Sequence, residues 1–178
     1  MQKIHSENLE IDRKDRARVP SKEIHYRAPS ERVCDFEEVN LPLSPWQAQY
    51  EASRCIECPE PAACVRACPV GNDIPSAMWH ISQGEFLEAA EVYRATSSLP
   101  EICGRVCPHE ALCEGSCVQG KHSDPVHTGA LEAWVMDYQR RYGEVDVSTA
   151  PANGHKVAVV GAGPSGLSCA QLLAEKGY

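Results

Sequence analysis

Aromatic residues are scarce in this chain. Phe occurs twice and Trp three times in 178 residues, and aromatics make up 6% of the sequence. Any core must therefore rest mainly on aliphatic side chains, for which a 43% apolar share is sufficient. Long hydrophobic runs are also missing, so no membrane insertion is expected. The opening "MQKIHSENLEIDRKDRARVP" is charged and has no apolar centre, so it does not read as a secretory signal. Basic residues are outnumbered, 17 against 25 acidic, for a net charge of −8. No basic patch with interleaved aromatics offsets that balance, which argues against a nucleic-acid partner. There is no Ser-His-Asp set and no paired carboxylate arrangement, so no catalytic acid, base or nucleophile is expected.

What the chain has in excess is cysteine, ten residues in all. With no export signal a cytoplasmic location is expected, where thiols stay reduced. Clustered cysteines then point to metal or redox chemistry. Eight of the ten fall into two groups. The first is Cys55-x2-Cys58-x5-Cys64-x3-Cys68-Pro69, and the second is Cys103-x3-Cys107-Pro108-x4-Cys113-x3-Cys117. Both groups close in the same way, with x5 then x3 between cysteines, which suggests two sites of one kind. Zinc favours two ligand pairs separated by a longer loop. Bacterial ferredoxins use C-x2-C-x2-C-x3-C-P, with the fourth cysteine ligating the other cluster. The first group keeps that pattern's opening and close and stretches its middle. The spacings favour iron–sulfur over a colourless structural zinc protein. If the crossover carries over, Cys55, Cys58 and Cys64 take Cys117, and Cys68 joins Cys107 and Cys113. The eighth ligand stays open between Cys103, one helical turn before Cys107, and Glu132.

Helix signals surround these groups. Ser44-Pro45-Trp46-Gln47 carries an N-cap serine, a proline at the first helical position and a glutamine at N3. A second helix is expected after Asp73, with Ile74, Ala77, Met78 and Ile81 on one face and Gly84 as its stop. A third runs from about Glu85 through Phe86, Ala89, Ala90 and Tyr93. A fourth, capped by Thr128, carries Leu131, Trp134, Val135, Tyr138 and Tyr142 and ends at Gly143. No stretch here alternates like a strand. The fold expected is mainly α: a solvated N-terminal arm over residues 1–43, a helical iron–sulfur domain over 44–146 and a linker over 147–154.

Residues 155–178 change character. "KVAVV" reads as a buried strand, followed by Gly161-Ala-Gly163-Pro164-Ser165-Gly166 and a helix. The first glycine permits the turn, the second lets a pyrophosphate approach, and the third lets helix pack on strand. The helix N-terminus would face the phosphates. This is the first strand-turn-helix of a dinucleotide-binding α/β domain. The second strand and the ribose-binding acid about 20 residues on are absent, so the domain reads as truncated. FAD would be bound only if that domain is completed.

Six stretches in this order resemble one family: "RCIEC", "CVRACPVGNDIP", "GEFLEAAEVYRATSSLPEICGRVCP", "LCEGSC", "VHTGALEAW" and "VAVVGAGPSGLSCAQLLAEKG". The chain resembles, from about residue 44 to the end, the N-terminal cluster domain of the glutamate synthase small (beta) subunit family. That domain recurs in dihydropyrimidine dehydrogenase and related NAD(P)H-dependent flavoproteins. The resemblance implies a helical ferredoxin-like domain with two [4Fe-4S] clusters, standing before FAD and NAD(P) domains. It implies a glutamate or glutamine ligand from the helix after the cysteines, which tips the eighth position to Glu132 and makes Cys103 an ordinary thiol, like Cys34 and Cys169. It also implies FAD, not NAD(P), at the glycine motif. One departure is the Cys58 to Cys64 spacing, one residue longer than usual, which enlarges a loop. The function expected is electron transfer between FAD/NAD(P)H and other subunits of a multisubunit oxidoreductase. The alternative is a non-enzymatic relay or assembly subunit with no flavin of its own. His80, His109, His122 and His127 are expected as structural or surface residues.

Overall fold

The computed structural model describes residues 11–145 and 149–178. The first ten residues of the expected arm, the end of the expected cluster domain at Asp146, and Val147 and Ser148 of the expected linker lie outside the described residues. The described part is helical. The elements are α1 (Arg13–Arg16), α2 (Pro29–Arg32), α3 (Pro45–Ser53), α4 (Ala63–Ala67), α5 (Ile74–Gln83), α6 (Phe86–Arg94), α7 (Pro100–Val106), α8 (Thr128–Tyr142) and α9 (Pro164–Glu175), with 3-10 turns at His109–Ala111 and Val118–Lys121. No helix among the described residues is long and apolar enough to cross a membrane.

Local chemistry fixes the ends of these helices. Ser44 accepts from the Gln47 amide while the Gln47 side chain accepts from the Ser44 amide, so the first helix starts on a complete capping box. Asp73 caps α5, and Gly84 ends it in the left-handed region at φ 78°, a conformation that glycine adopts without steric cost. The start of α8 differs from expectation. His127, not Thr128, is the N-cap, and no side chain on α8 caps it. The Thr128 hydroxyl donates instead to the Val126 carbonyl. Acids from elsewhere meet the first amides: Glu114 accepts from the Gly129 amide at 2.9 Å and Glu51 from the His127 amide at 3.1 Å. Carboxylates there also complement the helix dipole.

Helices α3, α5, α6 and α8 enclose one core, and α7 packs on α8. Ala48, Ala52, Ala77, Ala89 and Ala90 are wholly or almost wholly buried, so backbones approach closely, and Met78, Ile81, Leu131, Val135 and Met136 fill the space between them. Burying a side chain such as Ile81 or Leu131 contributes roughly 1.5–3 kcal/mol. The few aromatics gather at one edge, where Phe86 meets Trp134 edge-on at 4.8 Å and Tyr138 at 4.9 Å. The expected stripe on α8 is thus core on one side and an aromatic rim on the other, with Tyr142 exposed.

The arm is tied to this bundle near both ends of its described length. The Trp134 indole donates to the Leu43 carbonyl at 2.6 Å, and Arg105 pairs with Glu38 at 2.7 Å. Arg54 donates to the Val19 carbonyl, and Glu51 accepts from the Lys22 amide. Residues 16–22 are therefore tied to the cysteine-bearing end of the bundle.

At the other end, residues 155–160 form no hydrogen-bonded ladder among the described residues, because a strand needs a neighbour to pair with. The glycine turn and helix that follow are present. Gly161 lies at φ 107°, and a Cβ at Gly166 would collide with the Gly161 carbonyl. That close approach is the reason a glycine stands third in the motif. Residues 149–154 run back along the end of α9, where the Asn153 amide donates to the Gly177 carbonyl at 2.8 Å. Val157, Val160, Leu167 and Leu172 are exposed. Ser98 and Ser168 share a hydroxyl hydrogen bond at 2.6 Å.

Candidate metal centre

The cysteines sit on short helices and turns between the core helices. The chain leaves α3 at Arg54, and Cys55 follows directly. Glu57 adopts φ 50°, a left-handed turn unusual for a residue with a side chain. It reverses the chain so that Cys55 and Cys58 face the same way. Arg16 pairs with Glu57 and donates to the Cys55 carbonyl at 2.8 Å, fastening that turn. Cys64 lies on α4 and Cys68 at its end, where the backbone turns extended before Pro69. Cys107 occupies the equivalent place at the end of α7 before Pro108. Proline after each prevents the helix from running on.

The structure brings Cys55, Cys58, Cys64 and Cys117 around one cavity, floored by Ile74 and Met78. The longer Cys58–Cys64 loop does not displace Cys64 from this set. Burial pushes the Cys55 thiol up to about 12, and the neighbouring Cys64, Cys117 and Cys58 add to it. The Cys64 thiol rises to about 11 through burial, then the charge of Cys117 and Cys58. Cys117, from the second sequence group, is thus a neighbour of three cysteines of the first.

The remaining residues form a second set. Burial raises the Cys113 thiol to about 12, helped by the charges of Glu114, Glu132 and Cys68. Burial also raises the Cys107 thiol, followed by Cys103, Glu132 and Cys68. Cys68, Cys107, Cys113 and Glu132 thus lie within electrostatic reach of one another, and Cys103 stands beside Cys107. The Cys103 sulfur also faces the Ser97 hydroxyl at 3.9 Å.

Glu132 is 5% exposed, and its Oε1 has no hydrogen-bond partner. Burial raises its carboxyl to about 8, with the charge of Glu101 adding. An acid held in an apolar place without a partner is costly. A buried carboxylate oxygen of that kind fits a metal ligand. Thiols pushed upward by burial and by one another likewise gain a reason to deprotonate when a metal group binds. Both sets therefore fit an iron–sulfur cluster. Among the described residues, no three His, Cys, Asp or Glu side chains converge on a point where a single ion would sit. Thiolates around a cluster each hold a different iron and stand further apart than the donors of one zinc.

Sequence reasoning did not find the frame behind these sets. Glu51 and Arg54 form a fully buried ion pair at 2.6 Å. Arg54 also donates to the carbonyls of Val19, Asp124 and Pro125. Gln119, two residues after Cys117, donates to the carbonyls of Arg54 and Arg16 at 2.6 and 3.2 Å. One network thereby joins the Cys55 turn to the Cys117 turn. Its only sequence trace is a Glu and an Arg three residues apart at the end of a helix, a spacing shared by many surface pairs. Two further buried polar atoms lack partners, His109 Nε2 and the Tyr93 hydroxyl. The His109 ring lies against Gly129, where any Cβ would collide with it. His122 is exposed, and His127 lies 4.0 Å from Glu114.

Comparison with known proteins agrees with the geometry. Residues 32–144 match the family described as dihydropyrimidine dehydrogenase domain II, 4Fe-4S cluster. The chain is 48% identical over 149 residues to a protein of Escherichia coli (strain K12) named as an oxidoreductase, UacF, covering 83% of this chain and 23% of that protein. It is 42% identical over 147 residues to the NADPH glutamate synthase small chain of the same organism, covering 82% and 31%. It is 34% identical over 143 residues to the NAD-dependent dihydropyrimidine dehydrogenase subunit PreT of Escherichia coli O157:H7, covering 80% and 34%. The chain spans between about a quarter and a third of the length of these relatives. Two groups of cysteines on a helical frame, and a family match across residues 32–144, lead to one assignment: the chain belongs to the 4Fe-4S domain family of dihydropyrimidine dehydrogenase domain II, with glutamate synthase small chains among its relatives.

Proposed function

We propose that this chain holds two [4Fe-4S] clusters and passes electrons between an FAD/NAD(P)H site and another subunit of an oxidoreductase. Cys55, Cys58, Cys64 and Cys117 hold the first cluster, and Cys68, Cys107, Cys113 and Glu132 hold the second. The observation that carries this reading is the exchange of one cysteine between the groups. Cys117 lies with the first set around its cavity, and Cys68 lies with Cys107, Cys113 and Glu132. Exchange of that kind sets two clusters side by side, as in two-cluster ferredoxins.

When bound, the clusters supply one-electron chemistry. The chain's own part is to place and insulate them. Ile74 and Met78 present apolar side chains to the first set's cavity, and Glu132 offers a hard oxygen donor where the other positions are soft sulfur. The glutamate synthase small chain and PreT are both named as parts of larger enzymes, which supports a partner subunit as the electron's destination. Gly161, Gly163, Pro164, Ser165 and Gly166 would receive an FAD pyrophosphate, and the open space beside Gly163 is consistent with that approach.

The test is an anaerobic count of iron, acid-labile sulfide, zinc and flavin. Two cubanes require about eight iron atoms and eight sulfides per chain. Stoichiometric zinc without sulfide would sink the proposal. Flavin content separates a flavoprotein part from a relay subunit without flavin.

A further inference from the structure

Tyr93 has no role in the reading so far. It sits on the inner face of α6, is 0% exposed, and its hydroxyl has no hydrogen-bond partner. A buried hydroxyl without a partner is unfavourable. Phenylalanine would fill the same space and leave nothing unsatisfied. The oxygen therefore calls for a partner that is part of the loaded protein.

Its surroundings say where that partner lies. The acidic groups whose charge reaches the phenol are, in decreasing order, Glu132, Cys113, Cys64 and Cys55. The first two belong to the second ligand set and the last two to the first. Tyr93 lies in the same buried cluster as Cys113, and Cys55, Cys64, Cys68 and Cys117 pack against that cluster, so the residue stands between the two sets, with Glu132 and Cys113 of the second acting on it most strongly. Burial pushes the phenol well above its ordinary range, and those four groups push the same way. A phenol carries its proton at neutral pH in any case, so the oxygen meets its surroundings as a donor.

We infer that the Tyr93 hydroxyl donates a hydrogen bond to the iron–sulfur group held by Cys68, Cys107, Cys113 and Glu132, and makes that group easier to reduce. The inference rests on the two-cluster reading above. One electron arriving adds negative charge to the sulfur side of the group, and no proton has to move. A donor aimed at that charge binds the reduced state more strongly than the oxidised one. Hydrogen bonds to the sulfurs are among the quantities that set such potentials. Tyr93 is thus a tuning residue and not a ligand.

Tyr93→Phe removes a single oxygen atom. Wild-type and variant chains should be prepared anaerobically and assayed for iron and sulfide, then titrated with the reduced clusters followed by electron paramagnetic resonance. The expected result is equal iron and sulfide, with the reduction equilibrium of the second cluster about tenfold weaker, which is about 59 mV more negative for a one-electron couple. The first cluster should move less. Equal potentials in two fully loaded chains overturn the inference alone. A wild-type chain without iron removes the two-cluster reading and the inference with it. If the variant loses iron, an experimental structure of the loaded wild type decides. A sulfur or ligand oxygen within hydrogen-bonding reach of the Tyr93 oxygen upholds the inference, and an oxygen facing only carbon overturns it.

Discussion

The Arg54 guanidinium donates to Glu51 at 2.6 Å, and both side chains are wholly buried, with Arg54 one residue ahead of the first candidate ligand, Cys55. A buried pair is weak evidence for stability by itself, because desolvation offsets the attraction. Here the guanidinium also serves three carbonyls, from Val19, Asp124 and Pro125. Breaking such a pair from one side leaves a buried charge uncompensated and costs about 3–5 kcal/mol. Glu51→Gln should lower the unfolding free energy of the chain by an amount in that range, read from the shift of its denaturation midpoint. Arg54→Lys should also destabilise, since an ammonium lacks the planar fork that reaches several acceptors at once. Circular dichroism with denaturant measures both. Midpoints equal to wild type would show that the network is ornamental.

Much of this fold was legible in the sequence. The Ser44 capping box, the Asp73 cap and Gly84 stop, and the stripes on α5, α6 and α8 depend on residues within a turn of each other, so local chemistry reveals them. The cysteine sets were legible for a different reason: thiol spacing reflects the size of what is held. The short helices α4 and α7 were not read. They have five and seven residues, too few to show a period. Contacts across long stretches of chain were also hidden. The seating of residues 16–22 over the Cys55 turn depends on Arg54 and Gln119, which are 35 or more residues away. Nothing local marks either as a partner of the arm.

Gly104 shows how close packing serves the second site. It faces the backbone of Ala133, and a Cβ there would lie 2.5 Å from the Ala133 nitrogen. That contact joins α7, which leads into Cys107, to α8, which bears Glu132. Gly104→Val should force the helices apart and loosen the second set while leaving the first in place. Iron should fall from about eight atoms toward about four per chain. Full loading would mean that the seam can yield without cost to the site.

Ligand exchange makes a sharper claim. Cys117 comes from the second sequence group but lines the cavity of the first set. Cys117→Ser should therefore disturb the cluster held by Cys55, Cys58 and Cys64 and leave that of Cys107 and Cys113 unchanged. The two clusters can be followed by their separate paramagnetic signals on stepwise reduction. Loss of the second signal with the first intact would show that each four-cysteine group closes its own cluster.

The eighth ligand is the most exposed claim, because two donors stand beside the second set. Cys103 has the advantage of being a thiol, the usual ligand, and it adjoins Cys107. It also has an alternative, since its sulfur meets the Ser97 hydroxyl at 3.9 Å. Glu132 has none at Oε1, which is buried and unpartnered. Burial without a partner is unfavourable for the acid and is relieved when a metal accepts it. α8 fixes the carboxylate there, because Leu131 and Val135 on either side of it are wholly buried. Cys103→Ala should keep about eight iron atoms per chain, and Glu132→Ala should lose or alter one cluster. Glu132→Cys should restore four-thiolate loading with a changed potential, because ligand type is one of the settings of that quantity. If Cys103→Ala loses a cluster and Glu132→Ala keeps both, the assignment is reversed, and the buried carboxyl needs a different explanation.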